Sequence, residues 1–149
     1  MSMTIQNLDR MYLLLAELPD KSAPKAARAG LGAGATPIAR EARARVNVES
    51  GILKRSMGRR TKTHRNGVVV TNVGPRRGVS TEFEGQRRIP AHYGHLVNNG
   101  HRNRDGSFTE GSHFMDQAFE SKRDEAESIV INKMIEKLTA DAHRLGRRV

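Results

Sequence analysis

The chain has 149 residues, a formal net charge of +10 and no cysteine, which excludes disulfides and thiolate metal sites. Its hydrophobic fraction of 36% is too high for a fully disordered chain and low for an independent core, and no apolar run reaches the roughly 20 residues of a membrane helix. We therefore expect one modest domain, residues 1–149, that completes its burial against neighbouring subunits.

The first residues predict a helix. Apolar side chains recur at helical spacing from Thr4 to Leu18, and Pro19 ends the pattern. The same segment has neither a basic leader nor a small-residue cleavage site, so we expect no signal peptide.

An Ala-rich helix is predicted to follow Ser22. Its small residues, including Gly30 and Gly34, predict the close approach of another backbone. Pro37 suits the first position of a helix, which leaves two outcomes open: a fresh helix to about Val46, or one long helix with a kink.

The middle of the chain predicts short strands between basic loops. Ile52, Leu53 and Met57 have the spacing of a short helical turn. Strands bounded by turn residues are predicted at 67–73, 78–83 and 92–97. The polar, Gly- and Arg-rich ranges are predicted loops: 58–66, 74–78, 84–90 and 100–112.

The last third predicts one long helix, from about His113 to Leu145, with Ser112 as its cap. It keeps an apolar stripe at helical spacing, and its early acidic and late basic residues suit the helix dipole. The predicted organisation is a helical part (1–47), strands and basic loops (48–111) and this C-terminal helix (112–146).

The surplus charge lies in one segment. From Lys54 to Arg104 there are twelve basic and two acidic residues, so this segment accounts for the whole net charge of +10. Two partners remain open for its arginines: the backbone of duplex DNA, or acidic neighbours across subunit interfaces. Few aromatic residues and no recognition helix argue against base stacking and sequence-specific binding. The candidate DNA-facing residues are Arg59, Arg60, Arg76, Arg77, Arg87 and Arg88.

No catalytic constellation is evident. The histidines that fall close together are His92, His95, His101 and His113. In an extended segment His92 and His95 would point to opposite faces, which disfavours a shared metal ion. Neither a nucleophile turn nor a phosphate-binding loop is present. We therefore expect a protein that is not an enzyme and has no cofactor.

Three stretches of the chain, in order, are similar to motifs of one protein family. Glu49–Met57 is similar to a Thr-Gly-x-Leu-x-x-Ser-Ile element, His92–Gly100 to a Tyr-Ala-x-x-Val-Glu-x-Gly strand, and Ser112–Phe119 to the Pro-Phe-Leu-x-x-Ala opening of a last helix. With these motifs the chain resembles the tail-component (neck, or tail-completion) proteins of long-tailed bacteriophages. Here Asn98 stands for the usual glutamate and His113 for the proline.

The resemblance implies an α+β fold in which a small antiparallel β-sheet packs against N-terminal helices and one long C-terminal helix, with long basic loops. It also implies a homo-oligomeric ring, of six subunits or alternatively twelve, joining tail to head around the DNA channel. Its partners would be other phage neck and tail proteins and double-stranded DNA bound without sequence specificity, with no membrane. The protein would be located in the virion, after assembly in the host cytoplasm. The candidate subunit contacts are Tyr93, Leu96, Phe108 and Phe114.

Three alternatives stay open. A tail terminator would occupy the same region of the particle. A free-standing basic nucleic-acid-binding protein would bind tightly as a monomer. An enzyme with a histidine-bound metal would contain that metal stoichiometrically.

Overall fold

The computed structural model describes Leu13, Leu15, Ala16, Leu18 and residues 21–46 and 51–146. These residues form the α+β fold that the sequence predicts. The helices are α1 (Ser22–Arg45), α2 (Ile52–Ser56), α3 (Pro90–Asn99) and α4 (Phe114–Arg144). The strands are β1 (Met57–Thr63), β2 (Val69–Pro75), β3 (Thr81–Phe83), β4 (Gln86–Arg88), β5 (Gly100–Arg102) and β6 (Phe108–Glu110). None of the helices in this part of the chain is long and apolar enough to cross a membrane.

Helix α1 is continuous through Pro37, so of the two predicted outcomes the single long helix is confirmed, while the kink predicted in it stays a prediction. Proline lacks the N–H that would bond the carbonyl four residues earlier, and the remaining bonds of the helix continue on both sides. Most of the helix predicted from Thr4 to Leu18 lies outside the described residues; of those described, Leu13, Leu15 and Ala16 are helical and Leu18 lies in a bend.

The chain divides into two compact units. Unit 1 contains the described residues up to Thr36, residues 60–72 and residues 124–146. Unit 2 contains the described residues of 37–59 together with residues 73–123. Each unit has an apolar cluster of its own. The prediction that residues 1–149 form a single domain stays a prediction.

Unit 1 is built on the close packing of α1 against α4. Its core is formed by Leu18, Ala26, Leu138 and Ala142. A Cβ atom added to Gly30 would lie 2.6 Å from Met134 Cγ and 2.8 Å from the carbonyl oxygen of Val130. The approach of a second backbone, predicted from the small residues of α1, is therefore confirmed.

Unit 2 gathers apolar residues from four elements and the end of α1. Its core is formed by Ala42, Val46, Leu53, Met57, Phe114 and Ala118, with Tyr93, Val97 and Met115 packed against it. Helix α2 is the short helical turn that the spacing of its apolar residues predicts, and it delivers Leu53 to this core. Phe114, in the first turn of α4, is only 1% exposed.

The strands pair in sequence order as three separate two-stranded sheets. In the β1–β2 hairpin the loop is Arg65-Asn66-Gly67, in which Gly67 has φ of 82° and the Asn66 side chain accepts a hydrogen bond from Val68 N–H. In the β3–β4 hairpin the two turn residues, Glu84 and Gly85, both have positive φ, as the two-residue turns that match the twist of the strands require.

The predicted loops at 58–66, 84–90 and 100–112 are partly wrong, because they contain β1, β4, β5 and β6. These strands are short, mostly exposed and rich in Arg, Lys and Thr, so no alternation of apolar and polar residues marks them. The strands predicted at 67–73 and 78–83 correspond to β2 and β3.

The strand predicted at 92–97 is wrong, because these residues lie in α3. Pro90 occupies the first turn of this helix, where its missing N–H costs nothing. The buried residues Pro90, Gly94 and Asn98 recur every four residues, which is the period of a helix. Since the apolar run is short, either period could be fitted to it.

Candidate functional site

The β1–β2 hairpin lies in a segment of the sequence whose charged residues are all basic. Residues 51–81 include eight Lys and Arg and no Asp or Glu. Arg59, Arg60, Arg76 and Arg77 are exposed, and none of them forms an ion pair within the described residues. Their mutual repulsion is therefore unrelieved within this part of the chain, which favours contact with a polyanion.

The two faces of this hairpin differ. The hydroxyls of Thr61 and Thr71 lie 2.8 Å apart, so these two residues share a face. Because side chains alternate along a strand, Arg60, Lys62 and Val70 belong to the opposite face. All three are exposed, so this face presents two cations beside an apolar side chain.

Arg76 is held at the end of the hairpin. The backbone N–H of Arg76 donates to the backbone carbonyl of Ser56 at 2.9 Å. Its aliphatic stem crosses Gly58, where an added Cβ would lie 2.8 Å from Arg76 Cδ. The stem is thus packed on the backbone of β1 while the side chain as a whole stays exposed.

The β3–β4 hairpin is electrically different, because it brings acidic residues beside its arginines. Glu82 stands directly opposite Arg87 in the strand register. The Arg88 guanidinium lies 3.8 Å from the Glu84 carboxylate. The four charges sum to zero, so the six candidate arginines separate into an unopposed set on β1–β2 and a set with acidic neighbours on β3–β4.

An open groove of about 420 Å³ lies between β4 and α3. It is lined by Gln86, Arg87, Arg88, Ile89, His92 and Tyr93. His92 and His95 lie on one face of α3, contrary to the opposite faces expected for a strand, together with Leu96 and Asn99. Within the described residues, no three His, Cys, Asp or Glu side chains converge as metal ligands.

The candidate subunit contacts are not equally available. Phe108 is 62% exposed and Leu96 is 36% exposed. Tyr93 is half-buried against the core of unit 2, and Phe114 is inside that core. The apolar surface that these residues offer to another subunit is therefore that of Leu96 and Phe108.

Asn98 has a structural role that the sequence analysis did not predict. Its side chain is buried, and its Oδ1 accepts a hydrogen bond from Met115 N–H at 2.9 Å. Its Nδ2 donates to the Asp116 carboxylate at 3.1 Å and to Asn99 Oδ1 at 2.6 Å. Asn98 thus caps α4 from the end of α3. Ser112, the predicted cap, instead donates to the carbonyl of Val97.

The β5–β6 turn is organised by Asp105. Ser107 donates to this carboxylate from its hydroxyl and its backbone N–H, at 2.6 and 2.9 Å. These hydrogen bonds, the hydroxyl first, lower the pKa of Asp105 below its usual range.

We expect Ser107→Ala to raise the pKa of Asp105 towards its usual value, because the larger of the two contributions is removed. A carboxyl whose pKa is lowered by folding stabilises the folded state above its unfolded pKa, and this stabilisation disappears as pH falls through the folded pKa. The free energy of unfolding of the variant should therefore be lower than that of wild type near neutral pH and should approach it in acid. NMR titration of the Asp105 carboxyl carbon, with Ser128→Ala as the control, measures the shift.

Comparison with known proteins identifies one relationship. The model of a protein family described as "Bacteriophage HK97-gp10, putative tail-component" matches residues 9–100, more than half of the chain. The match includes the first two of the three motifs and ends before Ser112–Phe119. No curated protein and no solved structure matches the chain significantly.

Proposed function

Because this chain belongs to the HK97-gp10-like family of bacteriophage tail components, we propose that it is a structural, non-enzymatic subunit of the neck or tail top. Copies of it form a ring, of six subunits or alternatively twelve, that joins tail to head around the DNA channel. A tail component contacts other tail proteins in the virion. At the proposed neck position, these partners are the proteins above and below the ring.

The observation that carries the DNA part of the proposal is the unopposed charge of residues 51–81. Arg59, Arg60, Arg76 and Arg77 are the members of the candidate set best suited to phosphates, since no acidic group of the described residues neutralises them. Arg87 and Arg88 contribute less, because Glu82 and Glu84 lie beside them. A ring repeats these cations around its axis, so many weak attractions to the DNA backbone add up.

We expect Arg59→Gln/Arg60→Gln to weaken binding of duplex DNA by the oligomer, equally for all sequences. The slope of log K against log salt is negative, and its magnitude should decrease by about 0.9 for each phosphate that the variant no longer neutralises. Binding is measured by fluorescence anisotropy over a salt series. Arg87→Gln/Arg88→Gln is the matched control, with the same charge change and a smaller expected effect.

The same measurement separates the other candidate functions. A free-standing nucleic-acid-binding protein would bind DNA tightly as a monomer, whereas the ring subunit binds weakly until it assembles. An unchanged salt slope in the Arg59→Gln/Arg60→Gln oligomer would contradict the contact of these arginines with phosphates and favour acidic protein neighbours as their partners. A tail terminator and a neck subunit are separated by crosslinking in particles, which identifies the adjacent proteins.

A further inference from the structure

The start of α1 carries basic side chains outside the basic segment of residues 54–104. Between Asp20 and Glu41 the sequence has four basic residues and no acidic residue. Lys25 and Arg28 are both exposed, and because they are three residues apart they are neighbours on the surface of the helix. Neither of them forms an ion pair with another described residue. Their positive charge is therefore not neutralised within this part of the chain.

The loop of the β1–β2 hairpin reaches this part of α1. A Cβ atom added to Gly67 in the loop would lie 3.9 Å from Pro24 Cγ, which is ordinary van der Waals contact. Arg28 follows Pro24 by one helical turn, so the two residues lie on the same side of α1. Arg65 is in the same loop, two residues before Gly67, and is exposed. The fold of unit 1 thus brings the neighbourhoods of Arg28 and Arg65 together, although they are far apart in the sequence.

Lys62 extends this set of cations along β1. The hydroxyls of Thr61 and Thr71, 2.8 Å apart, mark the half-buried face of the hairpin, so Lys62 belongs to the exposed face. It precedes Arg65 by three residues, a distance of at most about 10 Å along the chain. We call the four cations of unit 1 the tip surface: Lys25, Arg28, Lys62 and Arg65.

Carboxylates of α4 in the same unit do not oppose the tip surface. Helix α4 packs against the start of α1 through Leu138, which shares a core with Ala26. Before Leu138, the Glu136 carboxylate lies 2.7 Å from Lys133 Nζ of its own helix. After it, the Asp141 carboxylate lies 3.6 Å from the guanidinium of the residue three positions later. Each of these pairs has no net charge, so the excess of the tip surface remains.

We propose that the tip surface binds the phosphate backbone of duplex DNA, as a second contact beside Arg59 and Arg60. This rests on the proposed function, which supplies DNA as the polyanion. The tip surface spans about 15 to 20 Å, over which a duplex carries about ten phosphates. Between Tyr12 and Phe83 the sequence has no aromatic residue, so the contact is with phosphates and not with stacked bases.

Substitution of the α1 half of the tip surface tests the proposal in the full-length oligomer. We expect Lys25→Gln/Arg28→Gln to decrease the magnitude of the slope of log K against log salt by up to about 1.8, which is about 0.9 for each phosphate no longer neutralised. Lys62→Gln/Arg65→Gln, in the hairpin half, should give a similar decrease. Fluorescence anisotropy of duplex DNA over a salt series measures the slope, and circular dichroism confirms that the variants are folded.

The matched control is Arg102→Gln/Arg104→Gln. It makes the same change of net charge at exposed positions of the β5–β6 hairpin, outside the tip surface, and should leave the slope unchanged. Equal decreases in this control and in Lys25→Gln/Arg28→Gln would indicate an effect of net charge alone and overturn the proposal.

The remaining outcomes separate the tip surface from the proposed function. A decrease in Arg59→Gln/Arg60→Gln without one in Lys25→Gln/Arg28→Gln would overturn the tip surface and leave the proposed function intact. A wild-type oligomer that binds no duplex DNA would contradict both. A folded Lys25→Gln/Arg28→Gln chain that no longer forms the oligomer would make a neighbouring subunit the partner of the tip surface, and would overturn its contact with DNA.

A measurement on the protein alone tests whether the two halves of the tip surface lie together. Like charges repel, so Arg28→Gln and Arg65→Gln should each raise the urea midpoint at low salt, and the double variant should raise it by less than the sum of the two. At about 1 M salt, where the Debye length is about 3 Å, this non-additivity should disappear. Additive effects at low salt would show that the two arginines are not neighbours and would overturn the tip surface, whatever the DNA measurements give.

Discussion

Replacement of Gly34 by leucine is expected to cost about 3 kcal/mol or more of unfolding free energy, at the upper end of overpacking effects. A Cβ atom at this position would overlap Val130 Cγ2 and would lie 2.6 Å from the carbonyl oxygen of Ala126. The leucine side chain adds three more carbons in the same direction. Since α1 and α4 form unit 1 together, the two helices would have to separate.

The smaller change Gly34→Ala divides this effect into two parts. Alanine gains about 1 kcal/mol of helix propensity over glycine, which offsets some of the clash. Val130→Ala in the same chain removes the overlap with a side chain. It leaves the contact with the Ala126 carbonyl, because no side-chain substitution moves that oxygen. We therefore expect Val130→Ala to rescue Gly34→Ala only in part.

Denaturant unfolding of the purified variants measures both effects, and Ala44→Leu is the matched control. Ala44 is on the same helix and exposed, so leucine there should change stability by less than about 0.5 kcal/mol. A Gly34→Leu chain as stable as Ala44→Leu would show that α1 and α4 do not approach as closely as the added-Cβ contacts require.

The long helices could be predicted from the sequence because their signals are long. Helix α4 repeats its apolar spacing over 31 residues, and its bounds agree with the prediction within one or two residues. The small residues of α1 also predict its close contact, since few other arrangements use so many Ala and Gly together. Of the two outcomes that Pro37 left open, the structure has the single helix.

The short elements could not be predicted as well, because packing and turns define them more than periodicity does. Helix α3 has ten residues, too few to distinguish the helical period from the strand period. Strand β1 has almost no apolar residue after Met57, and it forms because the loop at Arg65-Asn66-Gly67 returns the chain onto it. Sequence composition alone indicates a loop there.

The sequence predicts the net charge of the candidate site, but it does not predict which of the arginines have acidic neighbours. Counting residues places the surplus charge between Lys54 and Arg104. Only the strand register shows that Glu82 faces Arg87, which separates the β3–β4 arginines from the unopposed set. The role of Asn98 was also out of reach, because its partner Met115 is 17 residues away.

Asn98→Ala is expected to destabilise the chain by about 2–3 kcal/mol, the combined effect of removing a helix cap and leaving a partly buried N–H without an acceptor. Asn98 Oδ1 bonds Met115 N–H, and its Nδ2 bonds Asp116. The Ser112 hydroxyl is directed to the Val97 carbonyl and not to the first turn of α4. The first turn of α4, which delivers Phe114 to the core of unit 2, should fray as a result.

Two further variants make this test specific. Asn98→Asp keeps the acceptor for Met115 but places a second carboxylate against Asp116, so we expect a loss of stability that Asp116→Asn largely restores. Asn99→Ala is the matched control: it removes the same amide group one residue away, at an exposed position where its Oδ1 accepts from Asn98 Nδ2 but leaves the bond to Met115, and should cost less than about 1 kcal/mol. Denaturant unfolding measures stability, and hydrogen exchange of the Met115 amide measures the cap itself.

If Asn98→Ala and Asn99→Ala unfold alike and the Met115 amide keeps its protection, Asn98 does not cap α4. If the amide loses protection in Asn98→Ala alone, this one side chain connects the end of α3 to the start of α4.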